Sequence, residues 1–511
     1  MAFEEVLDDL GRRKAKALGM GGEAKLARRR AEGHLNARER IDRLLDPGSF
    51  VESGLYATSN LPEARDRTPA DGKIAGFGRI VGRHVALVAN DFTVLGASSA
   101  LVNTKKIRHV REVANRSGMP LILLGESTGS RMPDRMGAQG RAILGQDPIE
   151  YQRLRQSPWV STLLGPCFGS STWYACMSDF VVMRKGALMS VASSRVTSMA
   201  INQSVDSEEL GGWKLHSETT GLVDLVVNTD EEALDAAKRF LSYLPSNHNE
   251  PTPVHPVPAG AGDAARGVLD IIPQGRAKVY DVRKIVEAIA DPGSVFELKA
   301  RFGKSLSTSL ARLDGRTVGI VASNPMFKGG AIDVDACNKA TGFLVLCDSF
   351  NVPLVFLVDQ PGFLIGLDGE RCGAPGKIIN WMNACSQVTV PKISVVMRKS
   401  YGQAYLNMGG GKNSDEVICW PTADLGFMSP EVSVNVLHGV KKEDDPARYM
   451  QLLEEVSRDT SAWSLASLYE TQMVIDPRET RDCLISLLDV HRTRHGSEIG
   501  KHLLGGWPTS Y

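Results

Sequence analysis

Apolar, β-branched runs that stop at a small residue and restart at helical spacing recur along the chain, and two of them follow one plan. Val388-Thr-Val-Pro-Lys-Ile-Ser-Val-Val-Met-Arg-Lys-Ser-Tyr-Gly-Gln-Ala-Tyr405 breaks at Gly402, and Leu163-Leu-Gly-Pro-Cys-Phe-Gly-Ser-Ser-Thr-Trp-Tyr174 breaks at Gly169. Each reads as a strand that turns tightly through glycine into a helix. The first N–H groups of a helix lack intrahelical acceptors and its dipole favours negative charge there, so either turn can hold an oxyanion. Taken singly, each glycine equally suits an ordinary tight turn. Two at matching places suggest a reaction with two enolate-like partners.

The rest of the pattern supports a duplication. Residues 3–45 are dense in Arg, Lys, Glu and Ala with apolar positions at helical spacing, which predicts a helical arm ended by Asp46-Pro-Gly-Ser49. Within it, the charge run Lys25 to Arg30 reads as a solvated helix face. Strands are predicted at 72–80 and 85–90, a helix at 103–117, and a buried strand at 120–125 that leads into the loop Glu126-Ser-Thr-Gly-Ser-Arg131. Strand, helix, strand is a crossover α/β unit, in which ligands meet the loops at the C-terminal strand ends.

Residues 245–262 are rich in Pro and Gly without periodicity and read as a linker. Beyond it the plan restarts. From Gly169 to Gly402 is 233 positions, and the same interval separates Gly82 from Gly315, Lys106 from Lys339, Pro120 from Pro353 and Gly129 from Gly362. Asp291-Pro-Gly-Ser294 repeats Asp46-Pro-Gly-Ser49, and Gln360-Pro-Gly-Phe-Leu-Ile-Gly366 is the second ligand-side loop. We therefore expect two α/β domains, 1–255 and 256–511, related by internal duplication.

Composition narrows the function. The 511 residues are 42% hydrophobic and 23% charged, and 59 basic residues balance 59 acidic ones. Such a balance gives no electrostatic footprint for nucleic acid or an anionic membrane. Eight cysteines without a C-x-x-C pair read as buried thiols in a reducing, cytoplasmic setting, and no window has the apolar length of a membrane span. No His, Cys and Asp cluster has metal-ligand spacing, no nucleophile, His and Asp set is evident, and Gly409-Gly-Gly-Lys412 lacks the spacing of a phosphate loop.

Several stretches resemble the carboxyltransferase (β) subunits of biotin-dependent acyl-CoA carboxylases. They are Asn36-Ala-Arg-Glu-Arg-Ile-Asp-Arg-Leu-Leu-Asp-Pro-Gly-Ser-Phe50, Asp91-Phe-Thr-Val94, Glu208-Glu-Leu-Gly-Gly-Trp-Lys-Leu-His216, Pro361-Gly-Phe363 and Arg398-Lys-Ser-Tyr-Gly402. The resemblance implies two tandem crotonase-like domains, with acyl-CoA held by the first and carboxybiotin by the second. It also implies a homohexameric core and a separate biotin carboxylase and biotin carrier partner. The implied reaction moves the carboxyl group from carboxybiotin to the α-carbon, or its vinylogous position, of an acyl-CoA.

By position, the N–H groups of Gly169 and Ser170 would hold the thioester oxygen, and those of Gln403 and Ala404 the biotin oxygen. Ser170 and Gln403 stand where the family has glycine. Lys106 matches a family lysine near the CoA phosphates. Arg131, Gly129, Gly362, Phe363 and Gly402 complete the expected ligand-side set, with no metal. His216 reads as a satisfied structural histidine, and Trp173 and Tyr174 as core. Two other readings stay open: an acyl-CoA decarboxylase or other crotonase-type reaction on the same fold, and a non-catalytic CoA-binding scaffold.

Overall fold

Repeated Asp-Pro-Gly-Ser turns have one physical purpose in both halves of the computed structural model, which describes residues 2–138, 140, 151–492 and 501–508. The Asp46 carboxylate accepts from the N–H groups of Val81 at 2.9 Å and Gly82 at 2.7 Å. Asp291 does the same for Asp314 at 3.1 Å and Gly315 at 2.7 Å. Each carboxylate thus pins the tight turn of the first hairpin of its domain.

In the first unit, which runs to His248, that hairpin is β2 (Lys73–Ile80) against β3 (Arg83–Asn90), with β1 (Val51–Ser53) on its edge. Parallel strands follow: β4 (Leu121–Ser127), β5 (Trp159–Phe168), β6 (Phe180–Arg184) and β8 (Leu225–Val227), while short β7 (Leu188–Ser190) pairs beyond β6 on β5. The helix Leu101–Ser117 crosses over between β3 and β4, burying Ile107, Val110 and Ala114 against Val88, Leu121 and Leu123. Parallel strands covered by helices read as continuous apolar runs, as these do.

The second unit, from Asn249, repeats the topology. Its hairpin is β10 (Leu306–Leu313) with β11 (Arg316–Ser323), flanked by β9 (Phe296–Leu298). The parallel part is β12 (Leu354–Gln360), β13 (Lys392–Tyr401), β14 (Glu416–Cys419) and β16 (Met473–Val474), with β15 (Asp424–Gly426) on β13. Each sheet has eight strands. Residues 249–255, placed with the first half by sequence, pack with the second unit: Val254 bridges to Arg316, and His255 N–H donates to Gly315 O at 2.8 Å.

The expected helical arm is three helices, Ala2–Leu18, Glu23–Ala31 and Ala37–Leu44. Gly21 lies between the first two, where a Cβ would sit 2.3 Å from Thr93 O. The third helix starts with a capping box. Asn36 accepts from the N–H groups of Arg38 and Glu39, and Glu39 accepts from Asn36 N–H at 2.8 Å. That box carries Arg40, 1% exposed, into the domain, where it binds Glu126 at 2.7 Å and Asp230 at 2.7 Å.

The charge run is not wholly solvated, since Arg29 turns inward to Glu126 and lies over the Phe92 ring. Of the eight cysteines, none of them in a disulfide, Cys372 is exposed and Cys176 and Cys483 are half-buried, so the expectation of eight buried thiols holds for five. Among the described residues no helix is long and apolar enough to cross a membrane.

Candidate active site: two glycine turns and their loops

The two organising runs fold as read. β5 ends at Phe168, Gly169 turns with φ 63° and ψ −121°, and the helix Ser170–Met177 begins. β13 ends at Tyr401, Gly402 turns with φ 64°, and Gln403 leads into the helix Ala404–Asn407. Only the glycines need the left-handed region. Gln403 has φ −62° and Ser170 is helical, so neither replacement of a family glycine strains the backbone. Among the described residues the N–H groups of Ser170, Gln403 and Ala404 find no acceptor, as the first groups of a helix should not.

The loop after the preceding strand lies beside each turn. A Cβ on Gly169 would sit 3.7 Å from Gly129 Cα. Both loops are tied in the same way to the segment before the crossover helix. Ser99 N–H donates to Gly129 O at 2.8 Å and Arg131 N–H to Ser99 O at 2.9 Å. In the second unit Ile332 N–H donates to Gly362 O at 3.0 Å and Leu364 N–H to Ile332 O at 2.8 Å. The interval from Ser99 to Ile332 is again 233 positions. Gly129 thus lies beside the first turn, and a Cβ on Gly362 would sit 3.9 Å from Tyr401 O, one residue before the second.

Two candidates are buried instead. Lys106, expected near the CoA phosphates, is 9% exposed, and its ammonium donates to Gly54 O, Ala70 O and Lys73 O. All three protons are used inside the domain. Lys339 repeats the arrangement with Lys299 O, Phe302 O and Leu306 O. These lysines stitch the crossover helix to the chain entering the hairpin. Burial pushes the Lys106 amine down to about 8.

Arg131 is also withdrawn. It is 5% exposed and pairs with Asp71 at 2.7 Å, whose carboxyl is raised by burial. Its partner lies 60 residues away, which spacing alone could not reveal.

His216 is satisfied as expected: Nε2 meets Met189 O at 2.6 Å, Nδ1 meets Thr220 Oγ1 at 3.1 Å, and burial lowers its pKa. Trp173, expected in the core, is instead 39% exposed on the turn helix, while Tyr174 packs inward. The sequence reading missed Ser99, whose hydroxyl meets Ser170 Oγ at 2.7 Å and fixes the new side chain at the first turn. Its register with Ile332 was the available signal.

In the second unit Arg398 is buried on Asp359 at 2.8 Å and over the Tyr280 ring, while Tyr401 donates to Asp424 at 2.6 Å. The Arg398-Lys-Ser-Tyr-Gly402 stretch thus braces the end of β13 immediately before the turn.

Residues 28–502 match the model of the carboxyl transferase domain. The chain belongs to that family. This carboxyl transferase is 34% identical to the propionyl-CoA carboxylase carboxyltransferase subunit of Haloferax mediterranei, over 98% of its own length and 99% of the relative's. It is 34% identical to the methylmalonyl-CoA carboxyltransferase 12S subunit of Propionibacterium freudenreichii subsp. shermanii, over 94% of its length and 93% of the relative's. A crystal structure of transcarboxylase 12S, described as a hexamer with methylmalonyl-CoA and methylmalonic acid bound, superposes with a TM-score of 0.89 at 33% identity and covers 96% of each chain. Two tandem crotonase-like domains are thus the fold of this carboxyl transferase.

Proposed function

We propose that this chain is the carboxyltransferase subunit of a biotin-dependent acyl-CoA carboxylase, with acyl-CoA met by the first unit and carboxybiotin by the second. The observation that carries it is the pair of glycine turns whose N–H donors find no acceptor among the described residues, repeated at one interval within a chain of this family. Carboxybiotin, delivered on a separate carrier subunit, would supply the activated carboxyl group. The chain's own work is electrostatic. Gly169 and Ser170 N–H groups polarise the thioester oxygen, and those of Gln403 and Ala404 hold the biotin carbonyl oxygen.

These donors are fixed by strand and helix before reaction, so they need no reorganisation as charge develops. The tight fit of the Gly402 turn supports this role, since a Cβ there would lie 3.3 Å from Phe427 O. Gly129, Gly362 and Phe363 line the approaches, while Lys106 and Arg131 act by holding the loops.

A homo-oligomeric core, hexameric as in the transcarboxylase relative, is part of the proposal. Exposed Val196, Met199 and Ile201 follow β7, and exposed Val432, Val436 and Leu437 follow β15. Equivalent apolar helices left in water on both units suit burial against another copy. Eight cysteines outside any disulfide support a cytoplasmic setting.

Copurification with a biotinylated protein, followed by acyl-CoA-dependent CO2 fixation across chain lengths, is the test. Fixation supports the proposal. Loss of CO2 from a carboxylated acyl-CoA without fixation would favour the decarboxylase reading, and acyl-CoA binding without either reaction the scaffold reading.

A further inference from the structure

The first unit contains a buried cation that the second does without. Lys73 opens β2 opposite Asn90, and the corresponding pair at the start of β10 is Leu306 opposite Ser323. The backbone duty of the position is the same in both, because Lys73 O and Leu306 O each accept from the buried crossover lysine. The fold therefore needs the carbonyl and not the amine. Yet Lys73 is 1% exposed, and burying an unneeded ammonium is costly.

Its surroundings leave it under-used. The amine donates to Ala97 O at 2.7 Å, and among the described residues it has no other hydrogen-bond partner and no carboxylate within ion-pair distance. The nearby Asp71 is engaged by Arg131 at 2.7 Å and by Asn103 N–H at 3.0 Å. The Asn90 carboxamide, 7% exposed, is likewise without a partner among the described residues. Burial pushes the amine down to about 7.

Lys73 and Asn90 line a cavity of about 20 Å³ with Ser161, Ser170 and Tyr174, between the sheet and the helix Ser170–Met177. The volume suits one oxygen-sized group. Two side chains with spare donors thus line a cavity that also touches Ser170, the first residue after the turn assigned above to the thioester.

We propose that Lys73, with Asn90, is a specificity determinant for an acyl-CoA whose acyl chain carries an oxygen function, a carboxylate, keto or hydroxyl oxygen, that enters this cavity. The inference rests on the assignment of the first turn to acyl-CoA. A wholly hydrocarbon chain would leave the cation unpaired, which is how a site built to bind oxygen rejects its deoxy analogue.

The test is calorimetric titration of the full-length chain with butyryl-CoA, 3-hydroxybutyryl-CoA, acetoacetyl-CoA and succinyl-CoA, repeated with Lys73→Leu, which copies Leu306, and with Lys73→Met. At least one oxygenated ligand should bind the native chain about tenfold or more tightly than butyryl-CoA, as a hydrogen bond to a charged donor implies. In both variants that preference should fall to near unity through loss of the oxygenated ligand's affinity, with butyryl-CoA little changed. The hydroxy, keto and carboxylate arms identify which oxygen is taken.

Equal binding of all four ligands by the native chain, as expected if the cavity holds only water, overturns the proposal even if neither variant folds. So does a preference that survives Lys73→Leu. The two readings fail separately. Oxygen-selective binding without carboxylation refutes the carboxyltransferase assignment alone, whereas carboxylation indifferent to oxygen refutes the role of Lys73 alone.

Discussion

Gln403→Pro isolates one backbone donor. Among the described residues the Gln403 N–H has no acceptor, its φ of −62° already lies at proline's value, and the residue precedes the first helical position, so no helix bond is lost. Its side chain is exposed, with a single weak approach to Met382 Sδ at 3.7 Å. The preceding residue is Gly402, whose missing Cβ relieves the clash that proline imposes on its neighbour. The folding cost should therefore stay within about 1 kcal/mol.

If the N–H holds a developing oxyanion, its loss should lower the rate by ~10²–10³, the ~3–4 kcal/mol typical of one such donor. The assay is single-turnover carboxyl transfer from the loaded carrier at saturating acyl-CoA, with size-exclusion and acyl-CoA affinity as controls. Gln403→Gly, which keeps the donor, should stay within a few fold of the native rate or exceed it. A proline variant within threefold of native would refute the oxyanion role. A dead glycine variant beside an active Gln403→Asn would instead make the side-chain amide the working group.

Lys106→Met should lower stability by about 3 kcal/mol, one for each hydrogen bond lost, with acyl-CoA affinity unchanged. The figure is not larger because Gly54 O and Ala70 O keep the N–H groups of Ala57 and Lys73. A weaker acyl-CoA complex with an unmoved melting temperature would restore the phosphate role. Arg40→Met should cost about 3 kcal/mol, the low end for a broken buried ion pair, because Glu126 retains Arg29 and Asp230 retains Arg184; denaturant titration reads this directly.

Stability should also rise between about pH 7 and 8.5. Burial holds Lys73 and Lys339 near 7 and Lys106 near 8, against 10.5 unfolded, so the unfolded chain binds more protons across that window. Buried thiols such as Cys337, raised to about 12 from 9.0, reverse the trend at higher pH. A melting temperature flat over the window, or unchanged in slope by Lys339→Met, would contradict this.

The turns, crossover helices and duplication were legible because they depend on local period and spacing. A strand of 10 residues running into glycine and a helix is written in neighbouring positions, and a constant interval survives any ignorance of tertiary contacts. What long side chains do was not legible. Lys106 reaches carbonyls 33, 36 and 52 positions away, and nothing at Lys106 itself distinguishes that from a reach towards phosphate. Lys73 escaped notice for the converse reason, since a charged residue opening a strand usually faces water. The inward turn of Arg29 depends on Glu126, which only the folded sheet brings near.

The uneven accessibility of the cysteines gives the protein a ready spectroscopic handle. Cys372 is exposed immediately after the short helix Leu367–Arg371, just beyond the loop that carries Gly362 and Phe363. Cys347 and Cys385, in the same half, are buried with thiols raised by desolvation. A brief, substoichiometric maleimide treatment should therefore place a fluorophore mainly at Cys372 without any engineered substitution. If the second turn takes carboxybiotin as proposed, its emission would report the arrival and departure of a biotinylated carrier there in real time.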